Sequence, residues 1–272
     1  MTTISIVTPS LNQGQFLREA LESVHAQNYA QTEHLVLDGG STDQTLPVLR
    51  SLTDDKAWAH LRWTSAPDNG QSDALNRGFA QAQGDLIGWL NADDRYRPGC
   101  FEHVIKAFEE NPSVDIFYGD YTLINASGRL LQVRREIEFS RFVLLYHPVL
   151  YMATTTTFFR RRIFEECNWL NPELHYAMDY EFFIRLVDAG YRIRRIPHLL
   201  ADFRLHPESK SCRMTETQLA ETRGIMRTRS SITRVAFLGL IPQAAATLMR
   251  FTEKMLRGHY LVQYLAAPRD GD

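Results

Sequence analysis

Little in this sequence is extreme, and what it lacks narrows the field. Its three cysteines, Cys100, Cys167 and Cys212, are far apart and odd in number. They form no disulfide framework and no metal-ligand spacing, which favours a reducing compartment. No run of about 18 uncharged apolar residues occurs, so no helix is expected to span a bilayer. The chain opens directly on "ISIVTPS" with no signal-peptide pattern ahead of it, so a cytoplasmic protein is expected. The net charge of −2 singles out no partner, and no nucleic acid is expected. There is no Gly-x-Gly-x-x-Gly after the first strand, no Gly-Lys-Ser/Thr phosphate loop and no His-Glu-x-x-His. "GQSDA" (70–74) is not a nucleophile elbow, because it follows Pro67-Asp68-Asn69 rather than a strand and ends on Ala. Ser72 reads instead as a helix N-cap.

What is present is the composition of an ordinary globular protein, 272 residues with 44% hydrophobic and 23% charged side chains. That length holds one large domain, or one domain with an appendage. Charge is uneven along it. Residues 204–257 carry ten Lys/Arg against four Asp/Glu, whereas residues 1–203 carry 19 against 26. A basic C-terminal portion on an acidic body fits either an anionic partner or a solvated helix face.

The first half alternates strand and helix. "ISIVT" (4–8), "HLVLD" (34–38), "LRWTSA" (61–66) and "DLIGWL" (85–90) read as strands. Between them Phe16, Leu17, Ala20, Leu21 and Val24, and later Ala74, Leu75, Gly78, Phe79 and Ala82, recur at helical spacing. A further helix through Phe101, Val104, Ile105 and Phe108 closes at Asn111-Pro112. Repeated β-α units with near-continuous apolar strands predict an α/β fold with a Rossmann-like, mostly parallel sheet covered on both faces. After residue 112 the pattern becomes mixed: a hairpin around Ala126-Ser127-Gly128-Arg129, a strand at "TTTTFFRR" (154–161), a helix ending at Gly190, strands at "YRIRRI" and "LLADFR", and helix from about 214. The expected division is 1–112, 113–212 and a helical extension 213–272.

Ligands of such sheets bind beyond the carboxyl ends of the strands, and those ends here read "VTPSLN", "LDGGSTD" and "WLNADD". Asp38 precedes two glycines that let a ligand approach the backbone, or simply opens a turn. Asp93 and Asp94 are adjacent carboxylates that repel unless a hard cation or water lies against them. An isolated Asp-Asp pair is ordinarily a solvated loop. Asp179 and Glu181 begin a helix, where acids complement the dipole. A carboxylate beside Tyr180 and Phe182 is equally suited to take a hydroxyl proton. His206, in "RLHPESKS", is either a surface residue or a metal ligand.

Taken in order, "SIVTPSLNQGQFLREALESVHAQNY…HLVLDGGSTDQT…DNGQSDALNRGFAQAQGDLIGWLNADD…MDYEFFIRL…RLHPESKS" resembles the family 2 glycosyltransferases of the GT-A fold over about residues 4–212. The resemblance implies an inverting transfer of sugar from a nucleotide-diphosphate sugar to a hydroxyl on a glycan or lipid-linked acceptor, in cell-surface polysaccharide or glycolipid synthesis. It implies that Thr8 and Pro9 wall the nucleoside pocket and that Asp38 holds base or ribose. Asp68, Arg77, Asn91 and Ala92 become further donor contacts, Arg77 toward phosphate. "NADD" is similar to the family's metal motif, so Asp93, Asp94 and His206 are implied for Mn²⁺ or Mg²⁺, and Asp179 for the catalytic base. The motif's first acid is Asn91 here, and Met178 stands where relatives often have a second acid before the base. Thr155, Thr156 and Trp169 are candidates for the acceptor site.

Two other functions fit part of the pattern. A sugar nucleotidylyltransferase needs a basic Gly-rich loop after the first strand, and "TPSLNQGQF" has one Gly and no Lys or Arg. A non-catalytic nucleotide-sugar-binding protein needs Asp38 and Asp93 but not Asp179. The stretch Ile232–Phe251 is apolar but broken by Arg234, Pro242, Gln243 and Arg250. It is read as an interfacial or homo-oligomer-forming helix at the inner face of the cytoplasmic membrane, or as a helix packed on the core.

Overall fold

The computed structural model describes residues 1–259 except 148, 211, 213–215, 231 and 235. Residues 213–215 and 260–272 of the expected helical extension therefore lie outside the described residues. The first strand, β1 (Ile4–Ser10), is buried at every position, its polar Ser5, Thr8 and Ser10 included, as a strand covered on both faces is. Helix α1 (Gly14–His25) leads to β2 (Thr32–Asp38), α2 (Thr45–Thr53) to β3 (Leu61–Ser65), and α3 (Gln71–Gln81) to β4 (Leu86–Trp89). β1 pairs in parallel with both β2 and β4, and β2 with β3. Gly78 lets α3 lie close on this sheet: a Cβ there would meet Val7 Cγ1 at 2.3 Å and Leu37 Cδ2 at 2.7 Å.

The chain then crosses β5 (Arg95–Tyr96) and α4 (Cys100–Glu110) and forms the hairpin β6 (Ile116–Asn125) and β7 (Leu130–Arg134). Short helices α5 (Arg141–Tyr146) and α6 (Arg162–Glu165) flank β8 (Phe158–Arg160). Next come α7 (Met178–Asp188), β9 (Ile193–Leu205), α8 (Glu216–Arg229) and α9 (Ala236–Leu256). The strands of the second half extend the same sheet, in the order β3-β2-β1-β4-β8-β6-β9-β5 with β7 beside β6. β8 is antiparallel to both β4 and β6, so it joins the parallel half to the mixed half.

Three local expectations differ from the structure. The threonine run is not strand. Thr154–Thr156 forms a 3₁₀ turn in which the Thr156 and Thr157 hydroxyls donate to the Ala153 carbonyl at 2.9 Å. Such hydroxyl-to-backbone bonds compete with a ladder. The two strands expected at 191–204 are one, β9, whose register against β6 shifts where Pro197 and His198 are skipped; proline has no N–H for the ladder. Ser72 does not cap α3. Gly70 takes that position with φ of 102°, and the Ser72 hydroxyl instead donates to Met178 Sδ at 2.8 Å.

Part of the basic C-terminal portion is neutralised by the body. Glu136, fully buried, accepts from Arg250 at 2.9 Å and lies 2.9 Å from Lys254 of α9. Arg257 reaches Glu138 at 3.2 Å, and Arg229 of α8 reaches Asp188 at 3.4 Å. Among the described residues no helix is long and apolar enough to cross a membrane. Removing one member of a buried ion cluster strands the others without a counter-charge. Glu136→Ala is therefore expected to cost about 3–5 kcal/mol, read as a lower urea midpoint, and to make α9 the first site of limited proteolysis. An unchanged midpoint and cleavage pattern would show that the cluster does not hold the helix.

Candidate functional site

Beyond the carboxyl ends of β1 and β4 lies a cleft of about 440 Å³, within the usual size of a small-molecule site. Pro9, Ser10 and Leu11 follow from β1, and Asn91, Ala92, Asp93 and Asp94 from β4. Asp68, Gly70 and Gln71 come from the approach to α3, Tyr176 from the lead into α7, and Ser209 and Lys210 from the segment after β9. A wider depression of about 560 Å³ lies between Tyr29 and α4. Tyr29 bonds the Thr2 carbonyl, which places that depression near the opposite end of β1. Its walls contain none of the strand-end acids.

The two adjacent acids face different ways. Asp94 is 2% exposed. One of its oxygens accepts from the Thr155 hydroxyl and from Asn91 Nδ2 at 3.2 Å; the other accepts from the Arg204 backbone N–H at 2.8 Å. Burial, and then the neighbouring Asp93, push its pKa up, while these three donors hold it back. Asp93 keeps its carboxylate toward the cleft, where Oδ2 lies 3.0 Å from His206 Nε2. The His206 ring packs against Phe16 at 4.7 Å. Beneath this loop lies Arg204. Its Nε donates to the Asp93 carbonyl at 2.7 Å, its other nitrogens reach the Ala126 carbonyl at 3.0 Å and the Glu19 carboxylate, and its guanidinium stacks on Phe16. Nothing near Arg204 or Glu19 in the chain marks these long-range partners.

Asn91, where the resemblance expects an acid, is tied on both sides. Its Oδ1 accepts from Trp89 Nε1 at 2.9 Å and from Gln71 Nε2 at 3.1 Å, and its amide donates to Asp94. An aspartate here would supply the acceptor but not the donor. Pro9, Asp68 and Ala92 also line the cleft. Asp68 Oδ1 accepts from the Gly70 N–H at 2.8 Å. The Asp68 carboxylate packs so closely on Gly39 that a Cβ there would lie 2.6 Å from Oδ2.

Three residues expected at the donor site point elsewhere. Thr8 is fully buried and its hydroxyl bonds His34 Nε2 at 2.9 Å, inside the sheet. That His34 is kept neutral, its pKa lowered to about 3 by burial and by His60. Asp38 is occupied by the Ser65 hydroxyl at 2.6 Å, the Ser41 N–H at 2.9 Å, the Gly40 N–H at 3.1 Å and the Ser41 hydroxyl. It shapes the glycine turn, with three of these donors on Oδ2 and one on Oδ1, and it is not in the cleft wall. Arg77 is half exposed beside Asp73 at 3.3 Å and Asp68 at 3.9 Å, and it is not in the cleft wall.

Asp179 occupies the first turn of α7 and accepts from the Tyr180 N–H at 2.7 Å. Burial raises its pKa to about 6, against the pull of that N–H and of Lys210. Lys210, which lines the cleft with Asp93, has its own pKa lowered by burial and donates to the His175 carbonyl at 3.0 Å. Asp179 is thus joined to the cleft through Lys210 and Tyr176, and the Ser72–Met178 contact ties α7 to the first turn of α3. Of the acceptor candidates, Thr155 is committed to Asp94 and Thr156 to Ala153. Trp169 packs on the core, and its carbonyl accepts from Arg185.

Among the described residues no group of three or more His, Cys, Asp or Glu is arranged to hold a metal ion. Asp93 lines the cleft, as do the carboxylates of Asp68 and Glu208, whereas His206 is buried outside that lining with Nε2 on Asp93 Oδ2. Two protein ligands suit a hard dication that shares its coordination with phosphate oxygens and water.

Comparison with known proteins bears on this arrangement. Residues 5–167 match the family described as Glycosyl transferase family 2. That stretch holds Asp68 and Asn91–Asp94, while Asp179 and His206 lie beyond it. An uncharacterized glycosyltransferase of Mycobacterium tuberculosis (strain H37Rv) is 32% identical over 187 residues, which are 67% of this chain and 68% of that protein. The chondroitin synthase of Pasteurella multocida is 26% identical over 216 residues, 79% of this chain but only 22% of that protein. Among solved structures, S. aureus TarS (residues 1–349) in complex with UDP-GlcNAc aligns with a TM-score of 0.65 at 18% identity, over 82% of this chain and 65% of that one. The mannosyltransferase PcManGT from Pyrobaculum calidifontis, in complex with GDP-Man and Mn²⁺, aligns with a TM-score of 0.64 at 16% identity, over 96% and 78%. The structural matches carry the fold, and the family match spans more than half of the residues: the chain belongs to glycosyl transferase family 2.

Proposed function

We propose that the cleft is the donor site of an inverting, metal-dependent glycosyltransferase that moves a sugar from a nucleotide-diphosphate sugar to an acceptor hydroxyl in cell-surface polysaccharide or glycolipid synthesis. One observation carries this reading. The cleft that presents Asp93, which His206 contacts from behind, also contains Lys210, and Lys210 faces Asp179, a carboxylate raised to about 6 by burial. A base needs its pKa near working pH. The named complexes of TarS with UDP-GlcNAc and of PcManGT with GDP-Man and Mn²⁺ support the class of donor, and the chondroitin synthase supports a glycan product.

In this mechanism Asp179 takes the proton of the acceptor hydroxyl as its oxygen attacks the anomeric carbon. The bond from that carbon to the diphosphate oxygen breaks on the opposite face, its electron pair leaves with the diphosphate, and configuration inverts. A bound Mn²⁺ or Mg²⁺, held by Asp93 and His206, would supply counter-charge to the diphosphate. Pro9, Asp68, Asn91 and Ala92 wall the donor, and Asn91 also positions Asp94.

α9 adds a surface to this reading. Its charged side is turned into the body through Arg250 and Lys254, while Leu240, Ile241, Leu248, Met249, Met255 and Leu256 remain exposed. This inversion of the usual amphipathic order suits a peripheral contact with the inner leaflet, where a membrane-bound acceptor is presented.

Two measurements check the proposal. With a donor identified by a thermal-shift screen of nucleotide-sugars in Mn²⁺, Asp179→Asn is expected to lose roughly 10²–10⁴-fold in turnover with donor affinity kept. The parent's turnover is expected to fall as pH drops through about 6, where Asp179 takes up a proton. Full turnover in the variant, or a flat profile from pH 7 to 5, contradicts the base. For the surface, flotation with anionic vesicles is expected to recover the parent but not Leu248→Glu/Met255→Glu. If the parent stays behind and sediments as a dimer, the stripe is a self-association face instead.

A further inference from the structure

The segment that leads into α7 carries no side-chain cap of its own: Ala177, at the N-cap, makes no such bond. The missing acceptor comes from the C-terminal extension. Glu221 of α8 accepts from the backbone N–H groups of Ala177 at 2.8 Å, Tyr176 at 2.9 Å and His175 at 3.3 Å. Backbone donors at a helix start otherwise need water or a cap. One carboxylate thus takes three consecutive N–H groups, an arrangement of charge-assisted bonds. From the other side Lys210 donates to the His175 carbonyl. Residues 175–177 are therefore gripped between an anion and a cation, two residues ahead of Asp179, and the middle one is the cleft-lining Tyr176.

α8 is itself fixed against α7. Ile225 and Met226 are buried in the same apolar cluster as Phe182, Phe183 and Leu186. Arg229 reaches Asp188 at 3.4 Å and Glu181 at 3.7 Å. Nothing in the family match, which ends at residue 167, requires this helix.

We infer that Glu221 is a positioning residue for Asp179, so that the C-terminal extension completes the catalytic apparatus by holding the base and Tyr176 at the cleft. This rests on the reading of Asp179 as the base. The charged groups that act on Asp179 are Lys210, which favours its ionised form, and Glu221, which opposes it. Glu181 of its own helix is paired with Arg185 at 3.0 Å and with Arg229, and Asp73 of the facing α3 with Arg77.

The test uses the full chain and the donor selected by the screen. Glu221→Ala is expected to lower kcat roughly 10- to 100-fold, as a displaced catalytic group does, with donor KM within about twofold, as binding unchanged in ground and transition states requires. Glu221→Gln keeps an acceptor oxygen but removes the charge. It is expected to retain most of kcat and to move the acid limb of the pH profile to lower pH. Lys210→Met is expected to move that limb to higher pH. Parent kcat in Glu221→Ala together with an unmoved limb in Glu221→Gln overturns the inference. If Glu221→Ala fails to fold, the opposite limb displacements of the other two variants decide it, and limbs that coincide with the parent's overturn it. The base reading fails separately, by full turnover in Asp179→Asn. An inactive Asp179→Asn beside an unaffected Glu221→Ala sinks only the role of Glu221.

Discussion

Everything at the cleft depends on one buried carboxylate. Removing Asp94 from water costs free energy unless its lone pairs are met. They are met by a hydroxyl from the Thr155 turn, an amide from Asn91 and a backbone N–H from the end of β9. These donors come from three regions widely separated in sequence. Once Asp94 is drawn inward, its neighbour cannot follow, because a second unpaired acid beside it would add repulsion to desolvation. Asp93 is left facing outward, with its carbonyl held by Arg204 and its carboxylate beside His206. The doubled acid is thus one structural carboxylate and one that faces the cleft.

The same constraint accounts for Asn91. It must accept from Trp89 and Gln71 and donate to Asp94 at once, which an amide does and an ionised carboxylate of the same shape does not. A third acid here would set another negative charge against a carboxylate that burial already disfavours. On the proposed reading, the metal-binding charge of the cleft would be concentrated on Asp93. A dication held there would depend on the donor's own phosphate oxygens, which would couple metal and nucleotide binding.

The parallel half of the fold was legible because its central strands β1 and β4 are buried throughout, apolar side chains dominate β1, β2 and β4, and its helices repeat at 3.6-residue spacing. The threonine run was not, since β-branched residues suit strands until their hydroxyls turn back to the backbone, as Thr156 and Thr157 do. For the site, chain order marked the loops, but side-chain direction at a strand end is set by register and by distant partners. Thr8 and Asp38 stand at the right strand ends and still turn into the protein, toward His34 and toward Ser41 and Ser65. Arg204 and Glu221 carry no local signal at all, because each acts on residues more than 40 positions away. The partners of several basic C-terminal residues were not legible for the same reason, since Glu136, Glu138 and Asp188 lie on the body.

The division of labour between the two acids is tested most directly by comparing Asp93→Asn with Asp94→Asn in two assays, urea unfolding and titration of nucleoside diphosphate with and without Mn²⁺. Asp93→Asn is expected to unfold like the parent and to lose the part of its nucleotide affinity that requires Mn²⁺. Asp94→Asn is expected to lose about 1–3 kcal/mol of stability, the cost of leaving buried donors unmet. A parent that binds nucleotide equally with and without Mn²⁺, or an Asp94→Asn variant as stable as the parent, would contradict the account.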